Sequence, residues 1–180
     1  MGKTPTASQT VGPFFSIGLD PFLRGDLAPV AASGNGATVR GRLLDGDGRP
    51  VPDGVLEIWD PLGGSEETDS AGYPAGFGRV ATNDSGEFQF RVNLHAAPRA
   101  QDGSVQAPHV VVLVFMRGLL RHLVTRLYFP GPANEQDAVL NLVPEERRST
   151  LIAAAHSGKA GDFSWDIRLQ GEGETVFFET

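Results

Sequence analysis

The feature that most limits what this chain can fold into is the even scatter of its 23 glycines and 13 prolines, which break the 180 residues into short apolar runs. Glycine weakens helix and strand interiors and proline lacks a backbone donor, so both punctuate regular structure. Short apolar runs bounded by such residues fold as strands joined by turns. The expectation is a mostly β chain, an antiparallel β-sandwich with one or two short helices and an N-terminal arm.

The runs can be placed. The segment TVRGRLLD, a turn at Asp45-Gly46-Asp47-Gly48, and VLEIWD after Pro52-Asp53-Gly54 predict two paired strands over Thr38 to Asp60. In FGRVATNDSGEFQFRV, a turn at Asn83 to Gly86 and the period-two set Phe88, Phe90 and Val92 predict a second hairpin. The run HVVVLVFM is continuous and β-branched, which predicts a central strand covered on both faces. Further strands are expected over Leu123 to Phe129, Ser164 to Gln170 and Thr175 to Glu179, with GEGET as the last turn. A helix is expected over Pro144 to Ala155, because Pro144 and Glu145-Glu146 suit a first turn and Leu151, Ile152 and Ala155 could share a face. Residues 1–36 read as an arm and loop and residues 37–180 as the sandwich, one domain in all.

Charge and composition exclude several functions. With 22 acidic against 15 basic residues, a net charge of −7 repels phosphate backbones and anionic lipid surfaces, so neither nucleic acid nor membrane is an expected partner. The absence of cysteine removes disulfides and thiolate metal sites. The longest apolar run, Val110 to Met116, is far short of the ~20 residues a membrane helix needs, and MGKTPTASQT has no signal-like basic and apolar blocks. The expected location is the cytoplasm.

Chemistry-bearing residues are sparse. His95, His109, His122 and His156 form no short-spaced pair, and none of Ser8, Ser16, Ser65 or Ser85 has the context of a nucleophile. His109, after Pro108 at the mouth of an apolar strand, suits a histidine that bonds a backbone group. Trp59, Trp165, Phe177 and Phe178 read as core anchors. Arg126 stands out because it interrupts LVTRLYF and would share a face with Val124 and Tyr128. Its planar fork could bind an anionic ligand, or it could form a structural ion pair with an acidic side chain.

Taken together, SQTVGPFF, VLEIWD, APHVVVLVFMRG, LVTRLYF, VLNLVPEERRSTLIA and FSWDIRLQGEGETVFFE resemble the alpha chains of the intradiol ring-cleaving dioxygenase family, in order and over nearly the whole chain. The resemblance implies a homologous beta subunit that carries one non-haem Fe(III), with both subunits assembled into a larger symmetric hetero-oligomer. It implies protocatechuate and O2 as substrates, opened to 3-carboxy-cis,cis-muconate. The family's iron is held by two tyrosines and two histidines. Against that pattern this chain offers Ala97 and Pro98 where a Tyr-Pro segment belongs, Glu67 near the other tyrosine position with Tyr73 the nearest tyrosine, and His109-Val110-Val111 in place of His-x-His. His109 is thus a lone remnant of the ligand set, and no metal is expected on this chain. The resemblance assigns substrate contact to Thr10, Gly12, Pro13 and Arg126, with Phe14 where the family often has tyrosine. The rival reading is a transthyretin-like sandwich that only binds, suggested by GRLLDGDGRPVPDGVLEIW, about a tenth of the chain.

Overall fold

The computed structural model describes residues 5–27, 36–61, 72–94, 103–156 and 158–179. The described residues form two sheets packed face to face. The first contains β1 (Gly36–Leu44), β4 (Glu87–Asn93), β7 (Ala154–Ala155) and β8 (Asp162–Ser164) in the order β4-β1-β8-β7, and β9 (Ile167–Arg168) also pairs with β1. The second contains β2 (Val55–Trp59), β3 (Phe77–Ala81), β5 (His109–Phe115) and β6 (Leu123–Tyr128) in the order β3-β2-β5-β6. Most pairings are antiparallel, while β8 and β9 join β1 in parallel. Val39, Leu43, Phe88, Phe90 and Ile167 from the first sheet meet Leu56, Ile58, Val112, Val114 and Leu127 from the second in one core. Burying a side chain of this size contributes roughly 1.5–3 kcal/mol.

The two expected hairpins do not form. β1 pairs with β4 and β2 pairs with β3, so the links from β1 to β2 and from β3 to β4 both cross between sheets. The turn chemistry itself is as expected. Asp45 Oδ1 accepts from the N–H groups of Asp47 and Arg49, and Asn83 Oδ1 accepts from those of Ser85 and Glu87. What redirects the chain is a buried corner. Pro50 and Pro52 cannot donate to a ladder, Val51 turns into the core, and the buried Thr82 hydroxyl donates to Val51 O at 2.7 Å while accepting from Gly54 N–H at 2.9 Å.

Five other expectations are corrected. The helix expected over Pro144 to Ala155 is only α2 (Glu145–Arg148) followed by a 3-10 turn at Ser149–Leu151. It stops because Ile152 bridges to Tyr128 and Ala153 N–H donates to Tyr128 O, so edge pairing captures the chain and β7 follows. The strand expected over Ser164 to Gln170 is split into β8 and β9 by Trp165-Asp166, and Thr175 to Glu179 forms no strand, meeting β6 through a bridge from Phe178 to Val124 and through the Thr125 hydroxyl, which donates to Val176 O. β5 is central, but only Val110, Val112 and Val114 are fully covered, with Val111, Leu113 and Phe115 half-buried on the outer face. Trp59, on that same face, is 39% exposed and packs its ring at a tilt against Phe77, 4.6 Å between centres, so it is no core anchor, whereas Trp165 is buried.

Candidate functional site

The outer face of the second sheet carries the candidate residues. Strand register puts Glu57, Trp59, Arg79, Val111, Leu113 and Arg126 on it, with Arg79 opposite Glu57 and Arg126 opposite Val111. The two arginines are treated differently. Arg79 Nη2 is 2.5 Å from Glu57 Oε1, half-buried, and its guanidinium also lies 5.2 Å from the Phe77 ring centre. Among the described residues Arg126 meets neutral groups, donating through Nη1 to Gln106 Oε1 and to Tyr128 Oη, both at 3.3 Å. Arg40, Arg42, Arg49, Arg91, Arg117 and Arg147 also have carboxylate partners. Among the described residues no ion pair involves Arg126.

Beneath Arg126 lies a buried polar cluster. Tyr128 is fully buried and donates to Asp137 Oδ1 at 3.1 Å. Asp137, also fully buried, accepts from Leu140 N–H on the same oxygen and from Ala107 N–H on the other, each at 2.7 Å. Burial pushes the Tyr128 phenol up to about 12, outweighing the opposing pull of Arg126. Neither Tyr128 nor Asp137 was singled out from the sequence as a functional residue. Tyr128 had been placed on the face of Arg126, and Asp137 sits in an irregular loop where no periodicity marks it.

The arm occupies the other end of this face. Thr10 Oγ1 accepts from Gly118 N–H at 2.8 Å in the turn between β5 and β6, and the Phe15 ring at the start of α1 (Phe15–Leu19) lies 5.9 Å from that of Phe115. Gly12 O accepts from Phe15 N–H, and a side chain at Gly12 would meet nothing within 4 Å. Pro13 and Phe14 are exposed. Between arm and turn lies a cavity of about 460 Å³ lined in part by Gln9, Val11, Phe115, Leu120 and His122. Arg126 and Phe115 are four pairing positions apart along the hairpin, ~13 Å at strand rise. Arm and arginine therefore share a sheet face without touching.

The described residues do not suit a ferric ion. His109 is 6% exposed and its Nδ1 lies 2.8 Å from Ala107 O, which places the proton on that nitrogen in the neutral ring. Burial, ahead of the charge of Arg126, lowers its pKa. The nearby phenol of Tyr128 is engaged by Arg126 and Asp137 and resists the deprotonation that a metal ligand requires. Tyr73, the nearest tyrosine to the other family position, stacks with Phe77 at 6.0 Å. Among the described residues no three histidine, cysteine or carboxylate groups cluster as a metal site requires. Ala97, Pro98 and Glu67 lie outside the described residues. No helix of the described residues is long and apolar enough to cross a membrane.

Comparison with known proteins agrees with this geometry. A family model described as Dioxygenase matches residues 28–171. The protocatechuate 3,4-dioxygenase alpha chain of Burkholderia cepacia is 38% identical, covering 97% of this chain and 96% of its own length. The beta chain of that enzyme from the same organism is 28% identical over 79% of this chain and 67% of its own. Among solved structures, the dioxygenase domain of a dioxygenase and carbohydrate-binding fusion from Streptomyces sp. SirexAA-E superposes with a TM-score of 0.62 at 26% identity, covering 93% of this chain and 99% of that one. With a family match over most of the sandwich and a relative alike from end to end, the chain belongs to the intradiol ring-cleaving dioxygenase family.

Proposed function

We propose that this chain is the alpha subunit of a protocatechuate 3,4-dioxygenase, pairing with a homologous beta subunit that holds Fe(III) and lending one wall to the substrate pocket. The observation that carries this reading is Arg126, a half-buried guanidinium held by an amide oxygen and a phenol and by no carboxylate among the described residues. A cation kept in that state on a sheet face suits an anionic ligand, and protocatechuate carries a benzoate carboxylate opposite its two hydroxyls. Likeness to both an alpha and a beta chain from one organism supports pairing between two related sandwiches. In the complete enzyme the iron would act as a Lewis acid toward the two hydroxyls and make the ring reactive to O2.

This chain's own part is to bind and orient. Arg126 pairs with the carboxylate and so fixes which edge of the ring faces the metal. Thr10, Gly12 and Pro13 bring backbone toward the flat ring, and Gly12 suits that part because the space beside it is open. Phe14, 77% exposed, offers an apolar surface without a hydroxyl. The half-covered outer face of β5 and the exposed Trp59 suit contact with the partner.

Arg126→Ala in the assembled complex tests the reading. Loss of a charge-assisted hydrogen bond worth about 1.5–3 kcal/mol should lower kcat/KM for protocatechuate about ten- to a hundredfold. Activity on catechol, which lacks the carboxylate, should change far less. Equal losses on both substrates, in a complex that still assembles and holds iron, would leave Arg126 a structural residue.

A further inference from the structure

We propose that Gln106 and Tyr128 are positioning residues for Arg126, aiming its guanidinium and keeping its charge uncompensated so that the enzyme prefers a carboxylated catechol over a plain one. The inference rests on the carboxylate role of Arg126 stated above. It goes further by assigning selectivity to two neutral side chains that touch the arginine.

A long arginine side chain on a sheet face loses rotamer freedom when its ligand arrives, and that loss weakens binding unless the side chain is already held. Here one nitrogen, Nη1, is shared by two acceptors, Gln106 from the loop before β5 and Tyr128 from the same strand two residues on. The second acceptor is itself fixed. Tyr128 is fully buried and its hydroxyl hydrogen is committed to Asp137, which is pinned by the backbone N–H groups of Ala107 and Leu140. The hydroxyl lone pairs therefore face the arginine. The other terminal nitrogen, Nη2, has no hydrogen bond among the described residues of this network and so keeps its donors for a ligand.

The chemistry of the two acceptors matters as much as their geometry. An amide cannot ionise, and the phenol stays protonated at any pH the enzyme meets, since its pKa is pushed up to about 12. Neither becomes a counter-ion. The one carboxylate in the network, Asp137, is reached only through the phenol and is occupied by three donors. Arg79 on the same face provides the contrast, because Glu57 neutralises it and leaves little charge for a ligand.

The test uses the assembled complex and steady-state kinetics on protocatechuate and catechol. Gln106→Glu puts a carboxylate where the amide oxygen was, so it should compete with substrate for Arg126 and raise KM for protocatechuate about tenfold or more, with kcat and the catechol KM within about twofold of the parent. Tyr128→Phe removes one hydrogen bond and should raise KM for protocatechuate about three- to tenfold, again sparing catechol. In an Arg126→Ala background both changes should be silent, which separates positioning from a general structural effect. Should Tyr128→Phe fail to fold, Gln106→Glu decides alone, since Gln106 lies on a partly exposed loop. Unchanged KM for protocatechuate in both variants, where Arg126→Ala does raise it, would overturn the positioning roles and leave the carboxylate reading standing. An inert Arg126→Ala, or equal losses on catechol, would overturn both.

Discussion

Gly41→Ala is expected to cost about 3 kcal/mol or more, a large fraction of the stability of a domain, and to yield little soluble protein. Gly41 lies in β1 between the residues that pair with β8 and those that pair with β9. The Trp165 backbone crosses directly above it, so an added Cβ would overlap the Trp165 carbonyl and crowd the Phe88 ring. Neither obstacle can yield cheaply. Trp165 N–H donates to Arg40 O at 2.9 Å, Arg42 N–H donates to Asp166 Oδ1 at 2.9 Å, and the Trp165 indole is buried with its N–H on Thr150 O. Urea denaturation of whatever soluble protein is recovered checks the expectation. A midpoint equal to the parent's would mean that the crossing of Trp165 over β1 is not the tight contact described.

Asp137→Ala should destabilise by a similar amount for a different reason. The carboxylate is fully buried and satisfies three donors, Ala107 N–H, Leu140 N–H and the Tyr128 hydroxyl. Each donor left unpaired in the interior costs about 1–3 kcal/mol, and the three share one group, so about 4 kcal/mol is expected and not the full sum. Asp137→Asn keeps one acceptor oxygen but turns an amide N–H toward a backbone N–H, so it should lose roughly half as much. The comparison is made by urea denaturation at neutral pH. An alanine variant within about 1 kcal/mol of the parent would show that water replaces the carboxylate and that the cluster is not sealed. Because the same cluster holds Tyr128, the alanine variant should also weaken protocatechuate binding in whatever complex survives.

The sequence made the strands legible and the pairing illegible, and the reason is physical. Alternation over Glu87–Asn93 reports which side chains face a core, and the burial of Phe88, Phe90 and Val92 follows it. A turn at Asn83 to Gly86 reports only that the chain reverses. Whether the next strand pairs with its predecessor or crosses to the opposite sheet is decided by contacts distant in sequence, here Thr82 against Val51 and Gly54. Likewise, Leu151, Ile152 and Ala155 suit a helix face locally, yet Ile152 and Ala153 are taken by the edge at Tyr128. Arg126 was conspicuous because a charge in an apolar strand demands an explanation. Its neutral partners were not, since Gln106 and Asp137 come from loops whose approach depends on the whole sandwich.

That the metal belongs to a partner subunit and not to this chain is tested most directly by oxygen uptake with protocatechuate, with iron measured on the same samples. The chain is prepared alone and co-expressed with a beta-type homologue containing both a Tyr-Pro and a His-x-His segment. The chain alone should hold no stoichiometric iron and consume no oxygen, whereas the co-purified pair should hold iron in proportion to the beta subunit and consume oxygen on protocatechuate. Stoichiometric iron on the isolated chain, or an iron-loaded pair that takes up no oxygen with protocatechuate, would contradict it.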